Sequence, residues 1–231
     1  MRPETFDKYD VLVACECSGI IRDALIAAGV RAFSCDLKQT QRPGPHYHGD
    51  VRDVLYRPRV GLIAHPVCKF LTNAGAKHLY KRINGKWAKE HGPDEDRWRH
   101  MREGAAFFKE FDRADHIPLR AVENPIMHGH ATREVGRRAD QYVQPWMFGS
   151  PFSKATGFHL TGLKPLVPER DKSWYAERGI KITQAVWLMA PSEDREERRS
   201  ETDPEIARAI AEQWGPVFLE YAARRYSEAA E

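Results

Sequence analysis

The feature that most restricts the fold is an alternation of short apolar segments with segments of helical periodicity. The apolar segments predict buried strands, and the helical segments predict the crossover connections that parallel strands require. The predicted strands are residues 10–15, 31–35, 60–64, 119–122, 141–148 and 154–160, and the predicted helices are residues 20–28, 93–114 and 204–214. This order predicts an α/β fold, with a mostly parallel sheet and helices on both faces of that sheet.

Composition narrows the class of protein further. The 231 residues, without an obvious linker, predict a single domain spanning 1–231. A charged fraction of 30% and a mean hydropathy of −0.62 predict a soluble protein. No apolar run approaches the ~20 residues needed to cross a bilayer, and residues 1–10 lack the apolar stretch of a secretory signal. We therefore expect a cytoplasmic protein without a membrane partner.

Cysteine and histidine spacing does not favour a metal site. The four cysteines, Cys15, Cys17, Cys35 and Cys68, form no C-x-x-C pair. Three of them lie in or beside predicted strands, where a buried thiol is expected. The H-x-H pairs at 46/48 and 128/130 lack carboxylates or cysteines at a known ligand spacing, so we interpret them as loop histidines and expect no metal.

Polar residues gather where predicted strands end, at 16–19, Asp36, Asp50, 65–68 and 123–125. Ligands of open α/β sheets bind outside the carboxyl ends of the strands. The turn containing Gly19 lets backbone approach a ligand at a helix N-terminus, but it matches neither a dinucleotide fingerprint nor a P-loop. Asp36 is placed to accept hydrogen bonds from ribose hydroxyls, and Asp50 is placed to accept one from an adenine amino group. Together they predict a nucleoside cofactor without a pyrophosphate. The alternative is that both aspartates are turn or cap residues.

Cys68 and Glu123 form a pair with defined chemistry. A thiolate just past a strand is a strong nucleophile, and a carboxyl group in a cleft can donate a proton to a ring nitrogen. The C5 carbon of a pyrimidine becomes nucleophilic only after addition at C6 and protonation at N3. This pair therefore predicts C5 chemistry on a pyrimidine, whereas Cys68 alone would also fit a buried structural thiol.

Residues 77–102 mix basic and aromatic side chains. Such a mixture suits phosphate contact and base stacking, and it equally suits a solvated helix face anchored by aromatics. The residues concerned are Lys77, Tyr80, Lys81, Arg82, Lys86, Trp87, Lys89, Arg97, Trp98, Arg99 and Arg102.

At these motifs the sequence resembles the cytosine-C5 DNA methyltransferases, and more closely the small phage-encoded DNA methylase proteins of that type. The similar segments are ACECSGIIRDAL, SCDL, GDV, HPVCKFL and VENP. The resemblance implies a Rossmann-like class I methyltransferase fold, S-adenosylmethionine or a modified derivative as cofactor, DNA as partner, and a phage or bacterial host cytosol. It implies that Cys68 is the nucleophile and Glu123 the proton donor to N3.

The resemblance also implies further site residues. Glu16, Ser18, Gly19, Asp36, Asp50 and Pro66 would bind the cofactor. Segment VQPWMFGSPFSKATGFHL, in a small base-contacting region at 140–185, places Lys154 as a catalytic residue. The region from Pro191 to Gly215 resembles the family's closing helix. The predicted substrate contacts are Asn73, Asn124, Pro125, Thr156, Lys77, Arg82 and Trp87.

Three departures from the family pattern are visible. Val67 separates Pro66 from Cys68, whereas the family has Pro directly before Cys. Lys154 and Thr156 stand where the family has arginines, and Lys does not reproduce the Arg fork. The chain also lacks room for a separate target-recognition domain, so we assign that role to a loop–helix insertion at 76–103.

Three alternatives remain open at this point. An amino-methyltransferase on the same fold would use His65 and Phe70 and would not need Cys68. A free pyrimidine nucleotide as substrate would explain the missing recognition domain. A catalytically inactive protein that keeps the fold for binding would explain the departures. The sequence does not distinguish monomer from dimer.

Overall fold

The computed structural model describes residues 2–184 and 201–228. Its central sheet has seven strands. A separate two-stranded hairpin is formed by the part of the chain that connects the fourth of these strands, in sequence order, to the fifth. The sheet strands are β1 (Val11–Ala14), β2 (Ala32–Asp36), β3 (His46–His48), β4 (Gly61–Ala64), β7 (Leu119–Pro125), β8 (Gln141–Val143) and β9 (Thr156–Thr161), and the hairpin consists of β5 (Arg82–Ile83) and β6 (Lys86–Trp87).

The strands are arranged in the order β3-β2-β1-β4-β7-β9-β8. β1 pairs in parallel with β2 and β4, and β7 pairs in parallel with β4. β9 is antiparallel to both of its neighbours, β7 and β8. β1 and β4 are buried along their whole length, which explains why they are continuous apolar runs rather than alternating ones. The predicted mostly parallel sheet is confirmed.

Helices cover both faces of the sheet, as the sequence predicts. α1 (Ile20–Ala27) and α6 (Pro204–Glu228) pack on one face through Leu25, Ile210 and Trp214, and α3 (Glu95–Asp112) packs on the other through Met101 and Phe108. The helices are α1 (Ile20–Ala27), α2 (Arg52–Leu55), α3 (Glu95–Asp112), α4 (Gly129–Val135), α5 (Lys172–Glu177) and α6 (Pro204–Glu228). Short 3₁₀ helices occupy Pro3–Phe6, Asn73–Leu79, Lys89–His91 and Pro145–Met147. Each helix within residues 2–184 and 201–228 is too short or too polar to span a bilayer.

The structure differs from the sequence-based prediction at three elements. The strand predicted for 141–148 ends at Val143, because Pro145 lacks the N–H for a ladder bond and starts a 3₁₀ helix. The edge strand β3 lies in a segment for which the sequence predicts no strand. The last helix continues beyond residue 214 to Glu228, because Phe218 and Ala222 are also buried.

Parts of two other predictions lie outside the described residues. The region that resembles the family's closing helix begins at residue 191, and residues 191–200 are not described. The predicted base-contacting region, 140–185, is described up to residue 184.

Candidate active site

The turn between β1 and α1 holds a buried carboxylate. Glu16 is 6% exposed, and its Oε1 accepts hydrogen bonds from the Ile21 backbone N–H at 2.8 Å and from the Ser18 hydroxyl at 3.1 Å. Its other oxygen, Oε2, is buried and has no hydrogen-bond partner. Gly19 is the N-cap residue of α1 and has φ = 74°, a conformation that favours glycine. Because a buried oxygen without a partner is costly, Oε2 is a candidate contact for a bound ligand.

Asp36 and Asp50 lie at the same edge of the sheet. Asp36 ends β2, and its Oδ1 accepts from the Lys38 N–H at 2.8 Å. Asp50 is exposed, and its Oδ1 accepts from the Arg52 N–H at 2.9 Å. Both aspartates therefore make the local turn contacts that the alternative interpretation predicts. Burial, followed by the negative charge of Asp36, raises the pKa of the Cys15 thiol, and the charge of Asp50 adds to this effect.

The loop that follows Asp36, residues 37–45, is fixed by Arg22. The Arg22 guanidinium is fully buried and donates to the Ser34 and Thr40 hydroxyls, at 3.1 and 3.0 Å. It also donates to two carbonyls of the loop, those of Arg42 at 3.2 Å and Pro43 at 3.3 Å. The loop is thereby held beside the turn between β1 and α1.

Cys68 lies in a tight turn just after β4. Pro66 is buried, Val67 is 58% exposed, and the Cys68 side chain is partly buried. The Cys68 carbonyl accepts from the N–H groups of Leu71 and Thr72, at 2.9 and 3.1 Å. The inserted Val67 thus places an apolar side chain in solvent directly beside the candidate nucleophile.

The Cys68 turn is tied to the segment after β7. His128 donates its backbone N–H to the Leu71 carbonyl at 3.0 Å, and its Nε2 lies 3.1 Å from the Phe70 carbonyl. Its Nδ1 accepts from the Ala131 N–H at 3.0 Å, which leaves the proton on Nε2. Burial lowers the pKa of His128, so the ring is neutral at pH 7. The nucleophile turn and the strand that carries Glu123 therefore form one hydrogen-bonded unit.

Glu123 lines a small cavity on the α1 and α6 side of the sheet. The cavity measures about 10 Å³, room for one water-sized group. Within it, His65 Nδ1 lies 3.6 Å from Glu123 Oε2. The complete lining is His65, Glu123, Lys154, Thr156, Phe158, Thr202, Asp203 and Ile206.

Lys154 connects the cavity electrostatically to the Cys68 turn. Burial lowers the pKa of the Lys154 ammonium, and the charges of Glu123 and Cys68 act in the opposite direction. The ammonium donates to the Glu201 carbonyl at 2.6 Å. The structure thus brings Cys68, Glu123 and Lys154, the three residues predicted to be catalytic, into one electrostatic environment.

The predicted substrate contacts are divided between several places. Thr156 lines the cavity, and Pro125 lies opposite it in the register of β7 and β9. Asn124 is 1% exposed, and both of its side-chain polar atoms lack hydrogen-bond partners among the described residues. Because Asn124 follows Glu123 directly in a strand, its side chain points to the opposite face of the sheet. Asn73 is exposed at the start of a 3₁₀ helix.

Lys77, Arg82 and Trp87 come together away from the cavity lining. The Lys77 ammonium lies 4.8 Å from the centre of the Trp87 ring, and the Arg82 guanidinium lies 4.5 Å from it. These are cation–π distances. We call the hairpin of β5 and β6, together with Lys77, the basic hairpin.

Five residues of the cavity lining are not among the site residues of the main prediction, namely His65, Phe158, Thr202, Asp203 and Ile206. Of these, His65 belongs only to the amino-methyltransferase alternative. Asp203 lies at the start of α6, where its Oδ1 accepts from the Glu205 N–H at 3.0 Å. The available signal for His65 was its position in the same strand-end segment as Cys68.

No family model and no curated protein matches this chain. Among solved structures, it is similar to a putative DNA modification methyltransferase encoded within an E. coli prophage (14% identity, TM-score 0.44, 80% of this chain and 56% of that one). It is also similar to a Spodoptera frugiperda DNMT2 mutant, with 12% identity, a TM-score of 0.35 and coverage of 77% of this chain and 55% of that one. A further similar structure is S. pombe Dnmt2 methyltransferase, with 12% identity, a TM-score of 0.34 and coverage of 81% of this chain and 61% of that one. The chain spans less than two thirds of each of these structures. Its own sheet, mostly parallel with β9 antiparallel between β7 and β8 and with helices on both faces, is Rossmann-like.

Proposed function

We propose that this chain is an S-adenosylmethionine-dependent methyltransferase that modifies C5 of cytosine in DNA, with Cys68 as the nucleophile. The observation that carries this proposal is that Glu123 and the partly buried Lys154 line one cavity, with the Lys154 ammonium within electrostatic reach of Cys68. A nucleophile, an acid and a cation at the carboxyl edge of a parallel sheet are what this reaction needs.

Each side chain has a defined task in the proposed reaction. The Cys68 thiolate forms a bond to C6, and the electron pair of the ring double bond moves so that N3 takes a proton from Glu123. C5 is then nucleophilic and accepts the methyl group. A solvent water then takes the C5 proton, and the electron pair of that C–H bond re-forms the C5–C6 double bond as the S–C6 bond breaks and the thiolate leaves. N3 returns its proton to the Glu123 carboxylate, which restores the aromatic ring and the acid. The Lys154 ammonium favours the thiolate over the thiol, because an adjacent positive charge lowers the cost of ionisation.

The turn between β1 and α1 fits the cofactor. The partnerless Oε2 of Glu16 and the glycine turn at Gly19 would hold its amino-acid part. Asp36 would bind the ribose and Asp50 the adenine, and Pro66 would line the pocket. When bound, S-adenosylmethionine supplies the methyl group.

DNA contact is assigned to the basic hairpin. Its cations would neutralise phosphates, and two of them, Lys77 and Arg82, lie over the Trp87 ring, so these two present fixed rather than freely moving charge. A base inside a duplex must be extruded before Cys68 can reach C6, at a cost of a few kcal/mol.

One observation disfavours the amino-methyltransferase alternative. That reaction would require the Phe70 ring to face the target base beside His65. Phe70 instead packs with the His100 ring at 5.0 Å and with the Arg97 guanidinium at 4.3 Å.

The test is transfer of a labelled methyl group to duplex DNA, single-stranded DNA and dCMP, followed by nucleoside mass spectrometry. We expect labelled 5-methylcytosine from DNA and none with Cys68→Ala. DNA that contains 5-fluorocytosine should trap a covalent complex with the wild type, whereas unfluorinated DNA should not. Label on an exocyclic nitrogen would reject the Cys68 mechanism, label on dCMP alone would identify a nucleotide substrate, and cofactor binding without transfer would favour the inactive binding protein.

A further inference from the structure

A second cavity lies at the edge of the sheet opposite to the candidate active site. It measures about 290 Å³ and is lined by residues 58–60, which lead into β4, by His116 and Pro118, which lead into β7, and by the end of α6. The four residues of β4 separate this edge from the Cys68 edge by about 13 Å. Small-molecule sites measure about 300–1,000 Å³, so this cavity has the size of the smallest of them.

Positive charge predominates in the lining. α6 contributes Arg224, Arg225 and Glu228, and Arg59 adds a third cation from the segment before β4. The Arg224 guanidinium is paired with Glu220 on the same helix. Arg225 is exposed and makes no hydrogen bond or ion pair with another residue of segments 2–184 and 201–228. We call this cavity the basic cavity, and its charge favours an anionic ligand.

Arg59 is a buried cation whose hydrogen bonds are incomplete. It is 2% exposed, and its Nη1 donates to the Tyr9 carbonyl at 3.1 Å. Its Nε and Nη2 have no hydrogen-bond partner among the described residues, and Oδ1 of Asp7 lies 3.6 Å from Nη2, beyond hydrogen-bond distance. Buried donors without acceptors are costly, so an anion that reached them would stabilise this part of the structure.

Two further cations act on the Arg59 guanidinium. Burial lowers the pKa of Arg59, although the charge of Asp7 opposes this effect. The like charges of Arg57 and Arg225 lower the pKa further. Arg225 therefore lies within electrostatic reach of Arg59, and both residues line the same cavity. An anion bound between them would accept charged hydrogen bonds and reduce the repulsion.

The lining also contains an aromatic ring. Tyr221 is 38% exposed, and the Arg224 guanidinium lies 6.0 Å from the centre of its ring. Bases of nucleic acids stack on aromatic rings of this kind. Arginine forks bind carboxylates and phosphates alike, but a phosphate monoester carries a charge of about −1.5 to −2 at pH 7 and so suits more than one arginine. The combination favours a nucleotide as the ligand.

We propose that the basic cavity binds the phosphate group of a nucleotide, with the base beside Tyr221. The proposal goes beyond the proposed function, because the cavity lies away from Cys68 and takes part in no step of methyl transfer. The phosphate can belong to a free nucleotide or to the end of a nucleic acid strand, and the chemistry of binding is the same. The size of the cavity favours the free nucleotide.

The test is calorimetric titration of the full chain with GMP, with guanosine and with inorganic phosphate. GMP shares neither the adenine of the proposed cofactor nor the pyrimidine ring of the proposed target, so neither of those pockets is matched to it. We expect GMP to bind at least about tenfold more tightly than guanosine, because the phosphate adds charged hydrogen bonds. Inorganic phosphate should compete with GMP.

Arg225→Gln is the decisive variant, because an exposed side chain can be replaced with little effect on stability. GMP affinity should fall at least about tenfold, the effect of about one charged hydrogen bond. Arg138→Gln, at an exposed arginine outside the lining, is the matched control and should leave GMP affinity unchanged. Arg59→Met should also abolish GMP binding, and thermal unfolding reports whether this buried variant is folded. Tyr221→Ala should weaken the binding of GMP but not of inorganic phosphate.

A single-stranded oligonucleotide with a terminal phosphate forms the second arm. Equal affinity of Arg225→Gln and Arg138→Gln for the oligonucleotide, together with weaker GMP binding by the former, is the result that we expect and supports the free nucleotide. Weaker oligonucleotide binding by Arg225→Gln would instead support a strand as the source of the phosphate. If neither ligand distinguishes the two variants, the basic cavity is not a phosphate site and the proposal is overturned. Methyl transfer to DNA, measured in parallel, should be the same in both variants, and its absence from the wild type would overturn the proposed function alone.

Discussion

Glu16 is the single residue on which the cofactor assignment depends most. One carboxylate oxygen fixes the start of α1, and the other is buried without a partner. Glu16→Gln keeps the size and one acceptor but removes the charge. We expect about tenfold weaker binding of S-adenosylmethionine, the cost of about one charged hydrogen bond, with little change in melting temperature. Calorimetric titration measures this affinity, with Glu212→Gln on the exposed side of α6 as control; equal affinities for the variant and the wild type would contradict the assignment.

Lys154 is a residue at which activity and stability should oppose each other. Because burial lowers its pKa, the charged form costs stability in the folded state. Lys154→Met removes that cost while keeping the volume, so we expect a melting temperature at pH 7 equal to or above that of the wild type. Methyl transfer should fall by about 100-fold, as when one preorganised electrostatic contact is removed.

The pH dependence gives this prediction a second check. The folded state holds the Lys154 proton less tightly than the unfolded state, so wild-type stability rises as pH increases from the lowered pKa towards the ordinary value of 10.5. The melting temperatures of the two proteins should therefore converge as the pH rises towards 10.5. A variant that is much less stable at pH 7 would show that the contacts of Lys154 outweigh its burial.

At the scale of elements, the contact between β9 and α3 contains a buried histidine. His159 is 2% exposed and packs edge-on against Phe108 at 4.8 Å. Burial lowers its pKa from 6.5 to about 4. Below pH 6.5 the unfolded chain binds this proton and the folded chain does not, so stability is lost as pH falls and the loss is complete near pH 4.

His159→Leu should remove most of that acid sensitivity. The shift corresponds to a loss of about 3 kcal/mol between pH 7 and pH 4 in the wild type. Urea unfolding at pH 7 and at pH 4.5 measures the loss, and it should be smaller in the variant by about 2 kcal/mol. His46 and His128, whose pKa values are also lowered by burial, contribute equally to both proteins and cancel in the comparison. Parallel acid losses in the two proteins would contradict the prediction.

The elements also show which parts of the structure a sequence can predict. β1 and β4 are covered on both faces, so their apolar runs are unmistakable, and the strand-end rule then places Asp36, Cys68 and Glu123 at one edge. β3 has no such pattern; it has three residues, two of them histidines, and depends partly on a contact of 2.9 Å between His46 and Ser34. Local periodicity does not encode such contacts.

The same limit applies to the site. The proximity of His65 to Glu123 joins two strands that are distant in sequence, and Lys154 reaches them from a third segment. The buried Arg22 lies in α1 and bonds to a loop about twenty residues away. Which charged residues of a helix are buried depends on the loops packed over it, and these are known only once the chain has folded.

At the scale of the whole molecule, the proposed function requires charge to be localised rather than abundant. The formal net charge is only +3, so non-specific attraction to DNA is weak unless the cations are concentrated. The basic hairpin concentrates three of them, Lys77, Arg82 and Lys86. If this surface contacts phosphates, replacing all three with Gln should reduce the slope of log affinity against log salt for a duplex oligonucleotide by about 2 to 3.

A control with the same overall charge separates location from total charge. The triple variant Arg2→Gln, Lys8→Gln, Arg224→Gln also removes three exposed cations, outside both the basic hairpin and the predicted base-contacting region, so both variants have a formal net charge of 0, from +3 minus three. We expect the control to keep nearly the wild-type salt slope, and both variants to bind S-adenosylmethionine as the wild type does. Equal reductions in the two variants would mean that DNA responds to the field of the whole molecule. The recognition role of the basic hairpin would then have to be abandoned, while the catalytic assignment of Cys68 and Glu123 would be unaffected.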